Sequence, residues 1–238
     1  MKKVALNVGL FVWAQALIIA LLLISVDVHS FYRPLYDLTY ERMDTAREIG
    51  ISELELQQAT TILLDYIRDD RGDLDLTVSV DGVDQPMFNE REVKHMIDVK
   101  VLYRNAMNVK WICLGTFVVG LVALIAIKKQ DRAVLFFRAI KIALAVSLIA
   151  MSIVFIFLLV DFEQFWTSFH KVFFSNDLWI LDPRTDNLIL MVPSMFFNRL
   201  VKRIVVTFFG AILLLLIANV AYVISRGRKQ PANCSAER

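Results

Sequence analysis

The sequence predicts an α-helical integral membrane protein with four transmembrane helices, cytoplasmic N and C termini, and a small extracytoplasmic α+β cap that contains a β-hairpin. Of its 238 residues, 57% are apolar, and the mean hydropathy is +0.56. One soluble core of this size cannot bury so much apolar surface. The apolar residues also concentrate in four stretches of about 20 residues, the length that crosses a bilayer as a helix. The net charge of +2 does not favour any class of partner.

Basic residues set the predicted orientation of these spans. They cluster before the first span, between the second and third, and after the fourth, so the positive-inside rule assigns that side to the cytoplasm. The first apolar run is too long for a signal peptide and predicts an uncleaved anchor. We therefore expect transmembrane helices at 1–27, 109–127, 142–160 and 204–225, an extracytoplasmic cap at 28–108, a cytoplasmic loop at 128–141, an extracytoplasmic or interfacial segment at 161–203, and a cytoplasmic tail at 226–238.

The first part of the cap is predicted to be helical. Residues 37–50 have a mostly polar helical pattern, and a second helix begins at Ser52, where Glu55 stands in the capping-box position. An apolar stripe on this second helix must pack on something, which predicts a small folded domain. The stripe consists of Leu54, Ala59, Ile62, Leu63 and Ile67.

A β-hairpin is predicted next. Apolar and polar residues alternate from Leu74 to Val80, a period of two that indicates a strand. Asp81 and Gly82 then supply the residue types of a tight hairpin turn. Pro86 follows at once, so the returning strand should be short.

A third helix of the cap is predicted to begin at Asn89. Glu92 lies three positions later, as in a capping box. The helical pitch places Arg91, Glu92, His95 and Asp98 on one face. Such a face is usually only a solvated row of charges, but His95 titrates near neutral pH and favours a functional role. We expect this helix to continue into the second span.

The segment after the third span carries a second histidine. Aromatic residues recur there at helical spacing, which predicts a helix at the membrane interface. His170 falls on its more polar side and, taken alone, is typical of an interfacial polar residue. Turn-forming and acidic residues follow, and Ser194 is expected to cap the fourth long helix.

Three catalytic patterns can be weighed from these residues. Ser168 and Lys171 match S-x-x-K, but no S-D-N or K-T-G follows, so covalent serine catalysis is not expected. A single zinc ion could be held by His95, His170 and one carboxylate, although no H-E-x-x-H motif or cysteine cluster supports it. Two imidazoles with nearby carboxylates suit general acid–base catalysis on a substrate that carries its own nucleophile.

Two long stretches resemble a known family. They are FNEREVKHMIDVK at 88–100 and FHKVFFSNDLWILDPRTDNLI at 169–189. Both are similar to the lipoprotein intramolecular transacylase family of Gram-positive bacteria, and the four spans with two outside segments agree with it. The resemblance therefore covers nearly the whole chain.

The resemblance implies a substrate, a reaction and a location. The substrate would be a membrane lipoprotein whose N-terminal cysteine bears a diacylglyceryl thioether and a free α-amine. Its sn-2 acyl chain would move to that amine and leave a lyso-form lipoprotein. The partners would be this lipoprotein and membrane lipid, with no nucleic acid, no cofactor and no metal. The protein would lie in the bacterial plasma membrane, with its site on the extracytoplasmic side.

His95 and His170 match the two catalytic histidines of the family. One would take the proton of the amine, and the other would protonate the leaving oxygen or stabilise the oxyanion. A membrane-embedded metallohydrolase with these histidines as ligands, and a non-catalytic membrane interaction protein, remain alternatives. Seven further residues are candidates to orient the rings, each with a plain alternative role in a cap, turn or salt bridge: Asn89, Arg91, Glu92, Asp98, Asn176, Asp177 and Asp186.

Overall fold

The computed structural model describes residues 2–80, 82–126 and 129–227. Within these residues the chain is mostly helical, with nine helices and one two-stranded antiparallel sheet. In chain order the elements are α1 (Lys2–Ser30), α2 (Arg33–Met43), α3 (Thr45–Ile49), α4 (Glu53–Arg68), β1 (Thr77–Val80), β2 (Val83–Pro86), α5 (Glu90–Ile125), α6 (Lys129–Val160), α7 (Phe162–Phe173), α8 (Asn187–Met191) and α9 (Ser194–Gly227).

Four helices, α1, α5, α6 and α9, are long and apolar enough to cross a membrane. The prediction of four such helices is confirmed. The loop predicted at 128–141 is wrong, because α6 is helical from Lys129 onward. Lysine and arginine in this region lower the hydropathy, but both are good helix formers, so the helix is not interrupted. α9 likewise begins ten residues before position 204, directly after Pro193.

The apolar helices form one compact unit from the described residues of Met1–Ser25, Val109–Ile156 and Ile204–Arg238. Trp13 is central to it. Its indole Nε1 donates a 2.8 Å hydrogen bond to the Phe117 carbonyl, and its ring stacks on the Phe117 ring at 5.2 Å. This close approach requires a glycine at position 120, because a Cβ there would lie 2.1 Å from Trp13 Nε1.

The second unit comprises Val26–Asn108 and Phe157–Arg203. Its capping box at α4 is confirmed: Ser52 N–H donates to Glu55 Oε2 at 2.9 Å, and Glu55 N–H donates to Ser52 Oγ at 3.2 Å. Glu55 Oε1 also accepts a 2.8 Å hydrogen bond from Ser79 N–H, which ties β1 to the start of α4. Leu54, predicted on the apolar stripe, is 68% exposed. The buried face includes Ala59 and Leu63 from the predicted stripe, together with Leu56, Thr60 and Leu64.

Two other predictions in this unit need correction. The helix expected at 37–50 is two helices, because Asp44 adopts a left-handed conformation (φ 51°) between α2 and α3. The strand expected from Leu74 begins only at Thr77, which pairs with Pro86 at the end of β2. Leu76 still accepts a 2.8 Å backbone hydrogen bond from Met87 N–H, just beyond β2, so the pairing extends one residue before Thr77 without forming a regular strand. Gly82 has φ +83°, as a tight turn requires, while Asp81 lies outside the described residues.

Candidate functional site

The N-terminal turns of α5 carry the first histidine. The predicted capping box is present: Glu92 N–H donates to Asn89 Oδ1 at 3.0 Å, and Asn89 N–H donates to Glu92 Oε2 at 2.7 Å. These bonds satisfy backbone donors that every helix start leaves open. His95 lies one turn further along and is only 7% exposed. Its Nδ1 is buried and has no hydrogen-bond partner among the described residues.

α7 carries the second histidine. The helix is capped by Asp161, whose side chain accepts the Gln164 N–H at 2.9 Å, and His170 lies in its last turn. The predicted polar surroundings of His170 are wrong, because its side chain is 7% exposed while Glu163 and Lys171 are exposed.

The tautomer of His170 follows from one hydrogen bond. Its Nδ1 lies 2.8 Å from the carbonyl oxygen of Trp166, one turn earlier in α7. A carbonyl oxygen only accepts hydrogen bonds, so Nδ1 carries the proton. In the neutral ring, Nε2 then has a free lone pair and can act as a base.

The two imidazole rings are neighbours. Their centroids are 6.2 Å apart and their planes are inclined by 33°. Phe174 contacts both, with its ring centroid 5.4 Å from that of His95 and 5.6 Å from that of His170. Histidines that are 75 positions apart in the sequence therefore form one cluster.

Aromatic rings enclose His170. The ring centroid of Trp166 lies 4.8 Å away, that of Phe169 lies 5.6 Å away, and Trp179 stacks on the imidazole at 4.7 Å and 26°. Burial among these rings lowers the pKa of His170 below its ordinary value, and the hydrogen bond to the Trp166 carbonyl opposes this shift only in part. At neutral pH the ring is therefore uncharged.

The segment 174–188, which we call the strap, is bound to α5 near Asp98 and Arg91. Asn176 Nδ2 donates a 2.8 Å hydrogen bond to Asp98 Oδ2, and the guanidinium of Arg91 donates to the Asp177 carbonyl. Since α5 also carries His95, these bonds hold the first part of the strap beside the histidine pair.

The far end of the strap is bound to the start of α5. Asn89 Nδ2 donates to Asp186 Oδ1 at 2.7 Å, and Leu188 N–H donates to Glu92 Oε1 at 2.5 Å. Glu92 is 1% exposed and Asp186 is buried as well. Asp186 Oδ2 also accepts the Asp182 N–H at 2.7 Å. Two buried carboxylates thus bind backbone and amide donors of the two segments.

Eight of the nine candidate residues lie in α5, α7 or the strap, and the ninth, Asn89, directly precedes α5. In the part of the chain that the structure describes, several hydrogen bonds of the supporting residues join the start of α5 to the strap, the others lie within one segment, and the ring of His170 is held by a backbone carbonyl. Across residues 2–80, 82–126 and 129–227, no group of three or more histidine, cysteine or acidic side chains is placed to hold a metal ion.

Two residues of the cluster, Trp166 and Trp179, are not singled out by the sequence pattern. Trp166 precedes His170 by four positions, and that spacing alone places it on the same helix face. Trp179 lies outside any helix or strand, so no periodicity connects it to His170.

The chain is similar to known membrane proteins. The family model for the lipoprotein intramolecular transacylase Lit matches residues 11–197. Among solved structures, the membrane integral lipoprotein intramolecular transacylase Lit from Bacillus cereus is similar at a TM-score of 0.76 and 20% identity, covering 96% of this chain and 100% of that one. A variant of that protein with one histidine replaced by arginine has a TM-score of 0.71 and 18% identity, covering 96% of both chains. No curated protein matches the sequence significantly.

Proposed function

The chain belongs to the lipoprotein intramolecular transacylase family, and on that premise we propose that it moves an acyl chain within one membrane lipoprotein. The acyl chain would leave the sn-2 oxygen of the diacylglyceryl group and join the α-amine of the N-terminal cysteine of the substrate, which gives a lyso-form lipoprotein. The observation that carries this proposal is the pair of buried imidazoles, 6.2 Å apart, with Nε2 of His170 free to accept a proton.

In the first step, the amine nitrogen attacks the ester carbonyl carbon. His170 Nε2 takes the proton that the nitrogen loses as the C–N bond forms. The α-amine has a pKa of about 8, so a neutral imidazole is a suitable base for it. Amine and ester belong to one molecule, so holding them in contact supplies much of the rate.

In the second step, the tetrahedral intermediate collapses. The C–O bond to glycerol breaks, and the protonated His170 ring gives its proton to the departing oxygen. The neutral His95 ring carries one N–H, which we assign to stabilising the oxyanion of the intermediate. The side chain is buried and Nδ1 lacks a partner among the described residues, so this ring has hydrogen-bonding capacity left for a substrate.

We also propose that the histidine pair faces the extracytoplasmic side and that both termini are cytoplasmic. The support is the distribution of basic residues beside the spans. Single cysteines placed in the strap and in the C-terminal tail would test this, with a membrane-impermeant thiol reagent applied to intact cells. The strap cysteine should react and the tail cysteine should not, and the reverse result would overturn the orientation.

Mass spectrometry of a diacylated lipoprotein's N-terminal peptide tests the reaction. We expect the wild type to move an acyl chain onto the amine at unchanged total mass, in the presence of a chelator. His95→Ala and His170→Ala should each slow this transfer at least about a hundredfold, the usual contribution of an oxyanion donor and of a general base respectively. His29→Ala, which removes the third histidine of the chain, is the matched control and should transfer normally.

Two results would change the assignment. Absence of transfer by the folded wild type would refute the proposed reaction. Transfer that the chelator abolishes would identify a metal requirement, and the two histidines would then be reinterpreted as metal ligands.

A further inference from the structure

Trp179 covers the face of the catalytic imidazole. Its ring stacks on His170 at 4.7 Å and 26°, and the side chain is half-buried whereas His170 is 7% exposed. The indole therefore covers one face of the imidazole and is the more exposed of the two stacked rings. Trp166, Phe169 and Phe174 contact the same imidazole with their own rings.

Hydrogen bonds hold the strap in place both before and after Trp179. Before it, Asn176 is bound to Asp98, and after it, Asp186 is bound to Asn89. Asp98 lies in α5, the helix that carries His95, and Asn89 caps its start. Trp179 thus lies in a segment bound at two points near the start of α5, which carries His95, and its ring stacks on His170. It therefore forms a fixed cover over the His170 imidazole.

Such a cover matters because a base that activates an amine also activates water. If water attacked the same ester carbonyl, a bond from its oxygen to the acyl carbon would form and the C–O bond to glycerol would break. The proton of the water would pass to His170 Nε2 and then to the glycerol oxygen. The products would be a free fatty acid and a lipoprotein that has lost the acyl chain and has no acylated amine.

We propose that Trp179 determines the specificity for the amine over water, and that the protein contains a latent esterase activity which this ring suppresses. The inference rests on the proposed function and adds the choice of nucleophile to it. Exclusion of water from a closed site is a recognised way to prevent hydrolysis of a reacting group. The amine needs no access from solvent, because it arrives on the substrate.

The test compares Trp179→Ala with Trp179→Phe, which keeps an aromatic ring, and with Ile180→Ala, the exposed neighbour in the strap. Each variant is incubated with a diacylated lipoprotein in water enriched in oxygen-18. Mass spectrometry then counts N-acylated peptide and labelled fatty acid in the same reaction. We expect the ratio of labelled fatty acid to N-acylated peptide to rise about tenfold or more in Trp179→Ala, and to change less than about twofold in the other two.

A parallel reaction uses the wild type and a lipoprotein whose amine is blocked by acetylation, so that only water can attack. We expect little labelled fatty acid from the wild type and clear release by Trp179→Ala. Rapid hydrolysis of the blocked substrate by the wild type would overturn the inference, whether or not the variant folds. An equal loss of both products in Trp179→Ala would also overturn it and leave a structural role only. Failure of the wild type to transfer to a free amine would instead refute the proposed function.

Discussion

Glu92 offers the sharpest test of how the site is held together. Its carboxylate is 1% exposed and accepts two backbone N–H groups, those of Asn89 at 2.7 Å and Leu188 at 2.5 Å. One bond caps α5 and the other binds the strap to it. Glu92→Ala removes both acceptors and leaves the Leu188 N–H buried without a partner.

The loss of stability in Glu92→Ala follows from those two hydrogen bonds. A buried donor that loses its acceptor costs about 1–3 kcal/mol and a lost helix cap costs about 1 kcal/mol, so Glu92→Ala should lower the free energy of unfolding by about 2–4 kcal/mol. Glu92→Gln keeps one acceptor oxygen but turns an NH₂ group towards the other donor, so we expect about half that loss. The predicted order of stability is wild type, then Glu92→Gln, then Glu92→Ala.

Thermal unfolding of the purified protein in detergent measures this order. For a chain of this length, a loss of about 2–4 kcal/mol corresponds to a fall in Tm of roughly 4–16 °C. Glu90→Ala is the matched control, because Glu90 lies in the same first turn but is exposed and, among the described residues, forms an ion pair with Lys94. Equal Tm values for Glu92→Ala and Glu90→Ala would refute the inference that Glu92 joins the strap to α5.

Three further predictions concern pH, helix packing and the strap. Because burial lowers the pKa of His170 below 6.5, log kcat/KM should fall by one unit per pH unit below about pH 8, where the amine titrates, and by two units per pH unit only below pH 6.5. A slope of two in the log kcat/KM profile above pH 6.5 would contradict the buried neutral ring. The same pKa shift means that His170 binds a proton more readily in the unfolded chain, so the free energy of unfolding falls as the pH falls through 6.5. Gly120→Ala should lower Tm, because the new Cβ would lie 2.1 Å from Trp13 Nε1, whereas Gly115→Ala, whose Cβ meets nothing within 4 Å, should keep or raise it. Asp98→Ala removes the acceptor for Asn176 and should slow transfer about fivefold, the equivalent of one hydrogen bond, while Asp84→Ala in β2 should leave the rate unchanged.

Features with a local cause could be predicted from the sequence. The four long apolar helices follow from composition over about 20 residues, and the capping boxes at Ser52 and Asn89 follow from residues three positions apart. The errors occur where local patterns are ambiguous. Basic residues after position 128 lower hydropathy without interrupting α6, and the apolar alternation begins at Leu74, before the first residue of β1, Thr77.

These local patterns could not predict how deeply the site residues are buried. His170 has polar neighbours in the helical sequence, yet its ring is buried, because Trp179 and Phe174 come from outside α7 and cover it. Glu92 was expected beside the imidazoles, yet its carboxylate binds Leu188 N–H, 96 positions away. Which donor a buried carboxylate meets depends on how the segments pack, and no spacing within one helix contains that information.

By itself, the sequence determined the class of the protein, its four long helices, the start of α5 and the residue types of the candidate site, because each of these depends on neighbouring residues or on total apolar surface. The tertiary structure decided that His95 and His170 are 6.2 Å apart, that the Trp166 carbonyl selects the tautomer of His170, and that Trp179 covers its face. The first feature arises from packing of α5 against α7, and the other two depend on the burial of His170, where each unsatisfied polar group is costly and few arrangements are allowed.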